Sequence, residues 1–330
     1  MRTNTRDKIL GYIRTHKQAR VHDLVRTFKI SRVAIHKQLK LLLRENTVEK
    51  VGKPPLVFYV PATKKEEYTT NVPVNIVKVI EDNYLYISPK GELLYGFDGF
   101  QTWVRGIKEE HRLYKLAEEY VKTLDDLNGR RSASGWIDAT KKLKNTFTNT
   151  SLDKLLYSDF YSIPKFGKTK LGQLVLYAKQ SQNIELIDKI ADLVKPTMST
   201  IIDRFSIDAI AFVPPTVPRS LQFVEELERS LSLNTSKIKL VKVSAGEVAI
   251  AQKTLSRLDE RVENARSTIF PKTTKGNSYN NVLLVDDAVG SGATFNETAK
   301  KLKSSGICKK RIVAFAIVGS LKGFDVIREV

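Results

Sequence analysis

The sequence predicts an α/β protein in three parts. A small helical N-terminal domain closes with a two-stranded hairpin, an α+β connector follows, and the C-terminal domain is built on an open, mostly parallel, Rossmann-like sheet. Three observations carry this. Residues 5–60 read helix, helix, helix, strand, strand. Val282-Leu283-Leu284-Val285-Asp286-Asp287-Ala288-Val289-Gly290-Ser291-Gly292-Ala293-Thr294 passes from an apolar run through two acids and a small-residue turn to a helix start. The charge is basic and uneven: +19 over 330 residues, with 16 Lys/Arg against 6 Asp/Glu in residues 1–68, a net +10. The expected boundaries are 1–62, 63–150 and 151–330.

Composition narrows the class. At 42% apolar and 28% charged, the chain has the balance of a globular protein. No apolar run reaches the roughly 20 residues of a membrane helix, and Met1–Arg6 lacks a secretory apolar stretch. A single cysteine, Cys308, forms neither an internal disulfide nor a cysteine zinc site. A cytoplasmic setting is the expectation. The basic N-terminal block points to a polyanion, most often nucleic acid.

In that block, Asp7–His16 places Ile9, Leu10, Tyr12 and Ile13 at helical spacing. Val21–Phe28 is a second short helix and Lys29-Ile30 a tight turn. Ser31 caps a third helix running from Arg32 to about Glu45, with Val33, Ile35, Leu39, Leu42 and Leu43 available for its buried side. Val48–Val51 and Leu56–Val60 are strands joined by Gly52-Lys53-Pro54-Pro55. This order resembles a winged helix-turn-helix. The resemblance implies duplex DNA as partner, with the third helix in the major groove. Ser31, Arg32, His36, Lys37 and Lys40 lie largely away from the apolar stripe. Arg32 and His36 are placed for base edges, Lys37 and Lys40 for phosphates, and Lys53 at the wing tip for phosphate or minor groove. A protein-binding winged helix with a merely solvated basic face is the alternative.

The middle carries no chemistry legible in sequence. Lys64–Glu67 and Thr69–Asn71 read as a linker, Val74–Ile80 and Tyr84–Ser88 as strands, and Phe100–Ile107, Glu109–Leu127 and Trp136–Phe147 as helices. The aromatics of Tyr95-Gly96-Phe97-Asp98-Gly99-Phe100 with Trp103 read as core. Coupling the two ends or forming a dimer interface is the role expected here.

At the C-terminal end, Val282–Val285 is a buried strand delivering Asp286 and Asp287 to the edge where open α/β sheets place ligands. Thr294-Phe295-Asn296-Glu297 has a capping-box pattern, so the helix is expected to start at about Phe295 and stop at Gly306. Strand, turn and helix N-terminus form an anion site. Main-chain N–H groups of Ala288–Thr294 converge, Ser291 and Thr294 add hydroxyls, and Gly290 and Gly292 permit close approach. Two acids there would repel a phosphate unless they served sugar hydroxyls or waters on a magnesium ion. A sugar phosphate is the implied ligand. Arg257, Arg261, Arg266 and Lys272 are candidates to close over a pyrophosphate, as are Arg219 and Ser220 after the Val213–Pro215 strand end. Asn264 is a candidate to order that loop.

This segment resembles the signature of type I phosphoribosyltransferases, which bind 5-phosphoribosyl-1-pyrophosphate (PRPP). The resemblance implies that Asp286 and Asp287 hold the ribose hydroxyls, that Ala288–Thr294 hold the 5′-phosphate, and that Mg²⁺ arrives with PRPP rather than in a protein cage. Gly290 stands where the family often has a threonine. Leu-Val-Asp-Asp also opens receiver domains. Those need a later phosphoacceptor, and after Asp287 only Asp325 remains.

The likeness extends to ComF-type phosphoribosyltransferases. It rests on Tyr161–Asn183 with Gly167, Leu174 and Tyr177-Ala178-Lys179, and on Ala211–Pro215 followed by Thr216-Val217-Pro218-Arg219. Gln252-x-x-Leu255, Arg261-x-x-Asn264 and Phe270 complete it. Those proteins usually begin with a cysteine zinc ribbon; this chain has the helical block instead. Winged-helix repressors of purine operons combine the same two modules. Three functions follow as expectations: a dimeric DNA-binding regulator sensing PRPP or a related nucleotide, a transferase moving ribose 5-phosphate to a base or amine, or a competence-related DNA-handling protein. In the second, Asp286 and Asp287 are the catalytic candidates, and Ile317–Ser320 is the loop facing the acceptor.

Overall fold

The computed structural model describes residues 4–45, 47–53, 56–62, 72–215, 219–243, 257–272 and 277–320, excluding the side chain of Lys53. The expected linker, Pro54-Pro55, Thr216–Pro218, Gln252, Leu255 and Asp325 lie outside these residues. The chain divides into two compact units, Met1–Thr70 and Asn71–Val330.

In the first unit, α1 (Thr5–His16), α2 (Val21–Phe28) and α3 (Arg32–Arg44) precede β1 (Val48–Lys53) and β2 (Leu56–Pro61). The strands pair antiparallel, Val48 opposite Pro61 and Lys53 opposite Leu56. Tyr59 and Ala19 exchange main-chain hydrogen bonds of 2.8 and 2.9 Å, tying the hairpin to the α1–α2 connection. Ile9, Ile13, Leu24, Ile35, Leu39 and Leu42 form the buried centre. Ser31 caps α3 as expected, its Oγ accepting from the Ala34 N–H at 3.2 Å. Val33 is not on the buried side: it is 80% exposed. It sits about 200° around the helix from Ile35, so the stripe through Ile35, Leu39 and Leu42 excludes it.

The second unit is a six-stranded sheet with helices on both faces. Its spatial order is β10 (Ser236–Lys237), β9 (Ala209–Phe212), β13 (Tyr279–Val289), β14 (Cys308–Gly319), β6 (Lys154–Phe160) and β5 (Ile137–Asp138). All neighbours are parallel except β5 against β6. The period-2 rule partitions the central strands. Val282 and Leu284 face one core cluster with Ile312, Ala314 and Ala316, whereas Leu283 and Val285 face the other with Val313, Phe315 and Ile317. Burial on both faces is why these strands read as continuous apolar runs.

The first face carries α4 (Val74–Asn83), α5 (Gly96–Gly106), α6 (Leu113–Asn128) and α12 (Ala293–Ser304); the second carries α8 (Lys170–Ser181), α9 (Ile184–Phe205) and α10 (Phe223–Leu231). The smaller elements are β3 (Leu85–Ile87), β4 (Leu93–Tyr95), a 3-10 turn at Glu110–Arg112, α7 (Thr140–Thr146), β7 (Ser162–Ile163), β8 (Gly167–Lys168), β11 (Leu240–Lys242), α11 (Leu258–Thr268) and β12 (Ile269–Pro271).

Several expectations need correction. Val74–Ile80 is helix, not strand. Pro73 precedes it, Ile76 and Ile80 turn inward four residues apart, and Val74 is exposed. The helix expected from Glu109 begins at Leu113, after the 3-10 turn. Trp136–Phe147 divides into β5 and α7, because Ile137 and Asp138 pair with Tyr157 and Leu156. Within the expected connector of 63–150, Ile76, Tyr84, Phe100 and Tyr120 share one core with the sheet. The aromatic run is core, as read. Tyr84 and Phe100 meet at 5.1 Å between ring centroids, and Tyr120 meets Phe166 at 5.2 Å. A Cβ at Gly99 would lie 2.2 Å from the Leu94 carbonyl oxygen, so only glycine lets α5 pack there.

Candidate functional site

β13 lies between β9 and β14, with all three running the same way, so their carboxyl ends open on one edge. Val282–Val285 are fully buried and β13 continues past the acids to Val289, whose register partner is Gly319. Ala288 and Val289, expected in the turn, are therefore strand residues. The turn itself is Gly290-Ser291-Gly292. Ser291 Oγ accepts from the Ala293 N–H at 3.3 Å, and Gly292 takes φ +81°. α12 starts at Ala293, two residues before expectation, with Gly292 rather than Thr294 in the cap position. Thr294 lies in the first turn, and Glu297 is captured by Arg266 at 3.1 Å instead of closing a capping box.

The acidic pair is partly buried and asymmetric. The Asp287 carboxylate pairs with the Lys179 ammonium of α8, the two side chains 14% and 19% exposed. The Asp287 N–H donates to Asp286 Oδ1 at 2.8 Å. Burial, reinforced by the Asp287 charge, raises the Asp286 carboxyl well above the usual range. Burial also pushes Asp287 upward, but Lys179 and the hydrogen bond with Asp286 outweigh it and leave Asp287 below. One acid is thus biased towards the protonated form and its neighbour towards the ionised form. Lys242, at the end of β11, has its ammonium lowered by burial and partly restored by Asp286. No local motif marked Lys242; Lys179 stood in Tyr177-Ala178-Lys179, but its partner was not readable.

Arg219 donates from Nη1 to the Lys179 carbonyl, so it converges with Asp287 on one residue. Ser220 donates to Gln182 Oε1 at 2.7 Å, and the Leu221 N–H donates to the same oxygen at 3.0 Å. The other arginines are engaged elsewhere. Arg257 clasps Asp259 at 2.7 Å, exposed at the start of α11. Arg266 bridges Glu297 and Glu263, and Arg261 is buried within α11. Lys272 is exposed, and the Asn264 side-chain amide nitrogen is buried without a hydrogen-bond partner among the described residues.

Beside the turn a small opening is lined by Val289, Gly290 and Ser291 together with Lys142, Thr146, Tyr157 and Ser320. A Gly-Ser-Gly turn followed by a helix N-terminus, with hydroxyls nearby, is the kind of donor set an anion would require. Among the described residues no three metal-ligating side chains cluster. Two adjacent carboxylates suit a magnesium ion that arrives with ligand oxygens and waters. In the first unit Arg32, His36, Lys37 and Lys40 are all exposed on α3, and Ser31 spends its hydroxyl on the cap.

No family model matches the sequence, and no curated protein does. Similar solved structures include an adenine phosphoribosyltransferase at 16% identity, covering 47% of this chain and 81% of that one, with a TM-score of 0.30. A hypoxanthine-guanine phosphoribosyltransferase from Bacillus anthracis is 15% identical over 43% of this chain and 71% of that one, at 0.26. An adenine phosphoribosyltransferase from Leishmania tarentolae is 10% identical over 47% and 89%, at 0.27. At these scores the similarity bears on neither substrate nor activity.

Proposed function

We propose that the chain is a DNA-binding regulator, its first unit a winged helix-turn-helix and its second a phosphoribosyltransferase-like sensor of PRPP or a related nucleotide. The observation carrying the ligand assignment is the juxtaposition at the end of β13: two partly buried carboxylates, then a Gly-Ser-Gly turn, then the N-terminus of α12 beside a small opening. A sugar phosphate satisfies both halves. The carboxylates accept from ribose hydroxyls, and the turn donates to the 5′-phosphate. Mg²⁺ accompanies the pyrophosphate. The DNA assignment rests on α3, whose capped start and exposed Arg32, His36, Lys37 and Lys40 suit a reading helix. Regulators of this kind pair on two-fold sites, so a homodimer on duplex DNA is part of the proposal.

Coupling requires that the ligand bind the DNA-competent and incompetent forms unequally. Duplex binding across a salt series, with and without saturating Mg²⁺-PRPP, tests it. The expected result is a duplex preference over single strands and a midpoint that moves with ligand. Arg32→Ala should lower duplex affinity about tenfold without altering PRPP binding. Equal affinity for single strands, with no response to ligand, would overturn the regulator.

A second reading, transfer of ribose 5-phosphate to a base or amine, is favoured by the intact acidic pair bracketed by Lys179 and Lys242. Such a reaction passes through an oxocarbenium-like centre that carboxylates stabilise. Pyrophosphate release from PRPP across a panel of bases separates the readings.

A further inference from the structure

We propose that Val33, the second residue of α3, reads the C5-methyl group of a thymine in the major groove, so that the first unit's sequence preference includes an A·T pair at that contact. This rests on reading the unit as a winged helix-turn-helix on duplex DNA.

Packing does not ask for a valine at this position. Val33 is 80% exposed, and among the described residues of the first unit no large apolar side chain is more so. The unit's core is closed without it: Ile35, Leu39 and Leu42 of α3 meet Ile9, Ile13 and Leu24. Helix formation does not ask for one either, since valine ranks below alanine, lysine and glutamine in helix propensity.

The surroundings of Val33 are basic. At about 100° per residue it projects within about 60° of His36, Lys37, Lys40 and Arg44, all of them exposed. The exposed residues of the first two turns are Arg32, Val33, His36 and Lys37, and α3 contains no Asp or Glu. A second copy of the chain would bring the same cations to this face, and their repulsion opposes that contact. The major groove complements it. Phosphates line both rims, and the thymine methyl is the apolar group on its floor. A valine has no side-chain donor or acceptor, so the methyl is the base feature it can recognise.

The position along α3 fits as well. A reading helix enters the groove by its N-terminus, and helical side chains lean towards that end. Ser31, just before Val33, spends its hydroxyl on the Ala34 N–H at 3.2 Å. Arg32 and His36 then supply hydrogen bonds to base edges, and Val33 adds discrimination by burial of a methyl group.

The test begins by selecting duplexes from a randomised pool with the full chain. Each thymine of the selected site is then replaced singly by deoxyuridine, which removes the methyl and keeps the pairing. One such replacement per half-site should weaken wild-type binding about three- to tenfold, the scale of one buried methyl contact. Val33→Ser should bind the thymine and deoxyuridine duplexes alike, with the salt dependence and the thermal midpoint unchanged. Val33→Thr, which keeps a methyl, should retain most of the preference. A selected site that tolerates deoxyuridine everywhere within twofold would overturn the inference and leave the DNA reading standing. So would a Val33→Ser variant that keeps the wild-type deoxyuridine penalty, or one that instead loses self-association in solution. A chain that enriches no duplex and binds single strands equally well would remove the DNA reading and this inference with it.

Discussion

Asp286 carries a conflict between stability and binding. Its carboxyl is raised, so between the ordinary carboxylate pKa of about 4 and the higher folded value the unfolded chain loses its proton first. Stability therefore falls as pH rises through that window. Asp287 has the opposite sign: its contribution is present above about pH 4 and is lost as pH falls through its lowered folded value. Asp286→Asn should accordingly raise the thermal midpoint at pH 7, by about 2 °C or more, and have little effect at pH 3.5, where the native acid is already protonated. Scanning calorimetry at the two pH values checks the difference. Lys179→Met should act oppositely, costing about 3 kcal/mol at pH 7 because it strands the Asp287 charge.

At this scale the sequence was unevenly legible. Asp286, Asp287 and the Gly-Ser-Gly turn are contiguous, and their chemistry is visible in a row. Lys179 lies more than a hundred residues before its partner, and no local pattern encodes that pairing. Arg257 and Arg266 looked available in sequence, yet Asp259 and Glu297 lie within reach once α11 and α12 form. A fixed counter-ion nearby competes with a transient one.

Among the elements, the β13 turn sets the tightest backbone constraint on the site. Gly292 combines a left-handed φ with a Cβ position 2.8 Å from Leu143. Gly292→Ala should destabilise the chain by about 1–3 kcal/mol in urea unfolding and weaken ribose 5-phosphate binding by disturbing both the turn and α7. Elements with strong periodicity were readable: α2 has the bounds expected of it, and β13 was recognisable from four apolar residues. The failures have named causes. Val74–Ile80 is rich in β-branched residues, but two inward isoleucines four apart and a preceding proline made it helix. The Thr294–Glu297 capping pattern lost to Gly292, because a left-handed glycine closes the turn earlier. β5 is two residues long, below any periodic signal.

For the whole molecule, the densest basic charge and the sheet lie in separate units. The net +10 over residues 1–68 accompanies exposed Arg32, His36, Lys37 and Lys40. The central strands of the other unit are apolar from Val282 to Val285 and from Ile312 to Val318. What sequence could not show is that residues 72–150 join the sheet's own core; that packing is set by contacts far apart in the chain, such as Phe100 against Phe166 at 6.4 Å.

The central claim is that Asp286, Asp287 and the turn after them grip a phosphorylated, activated pentose. Calorimetric titration of Mg²⁺-PRPP into the full-length chain and into Asp286→Asn/Asp287→Asn is its most direct test. A saturable one-to-one isotherm in the wild type that weakens at least tenfold in the double variant, with folding intact by thermal unfolding, is the expected result. No heat in the wild type, or equal affinity in both proteins, would contradict it.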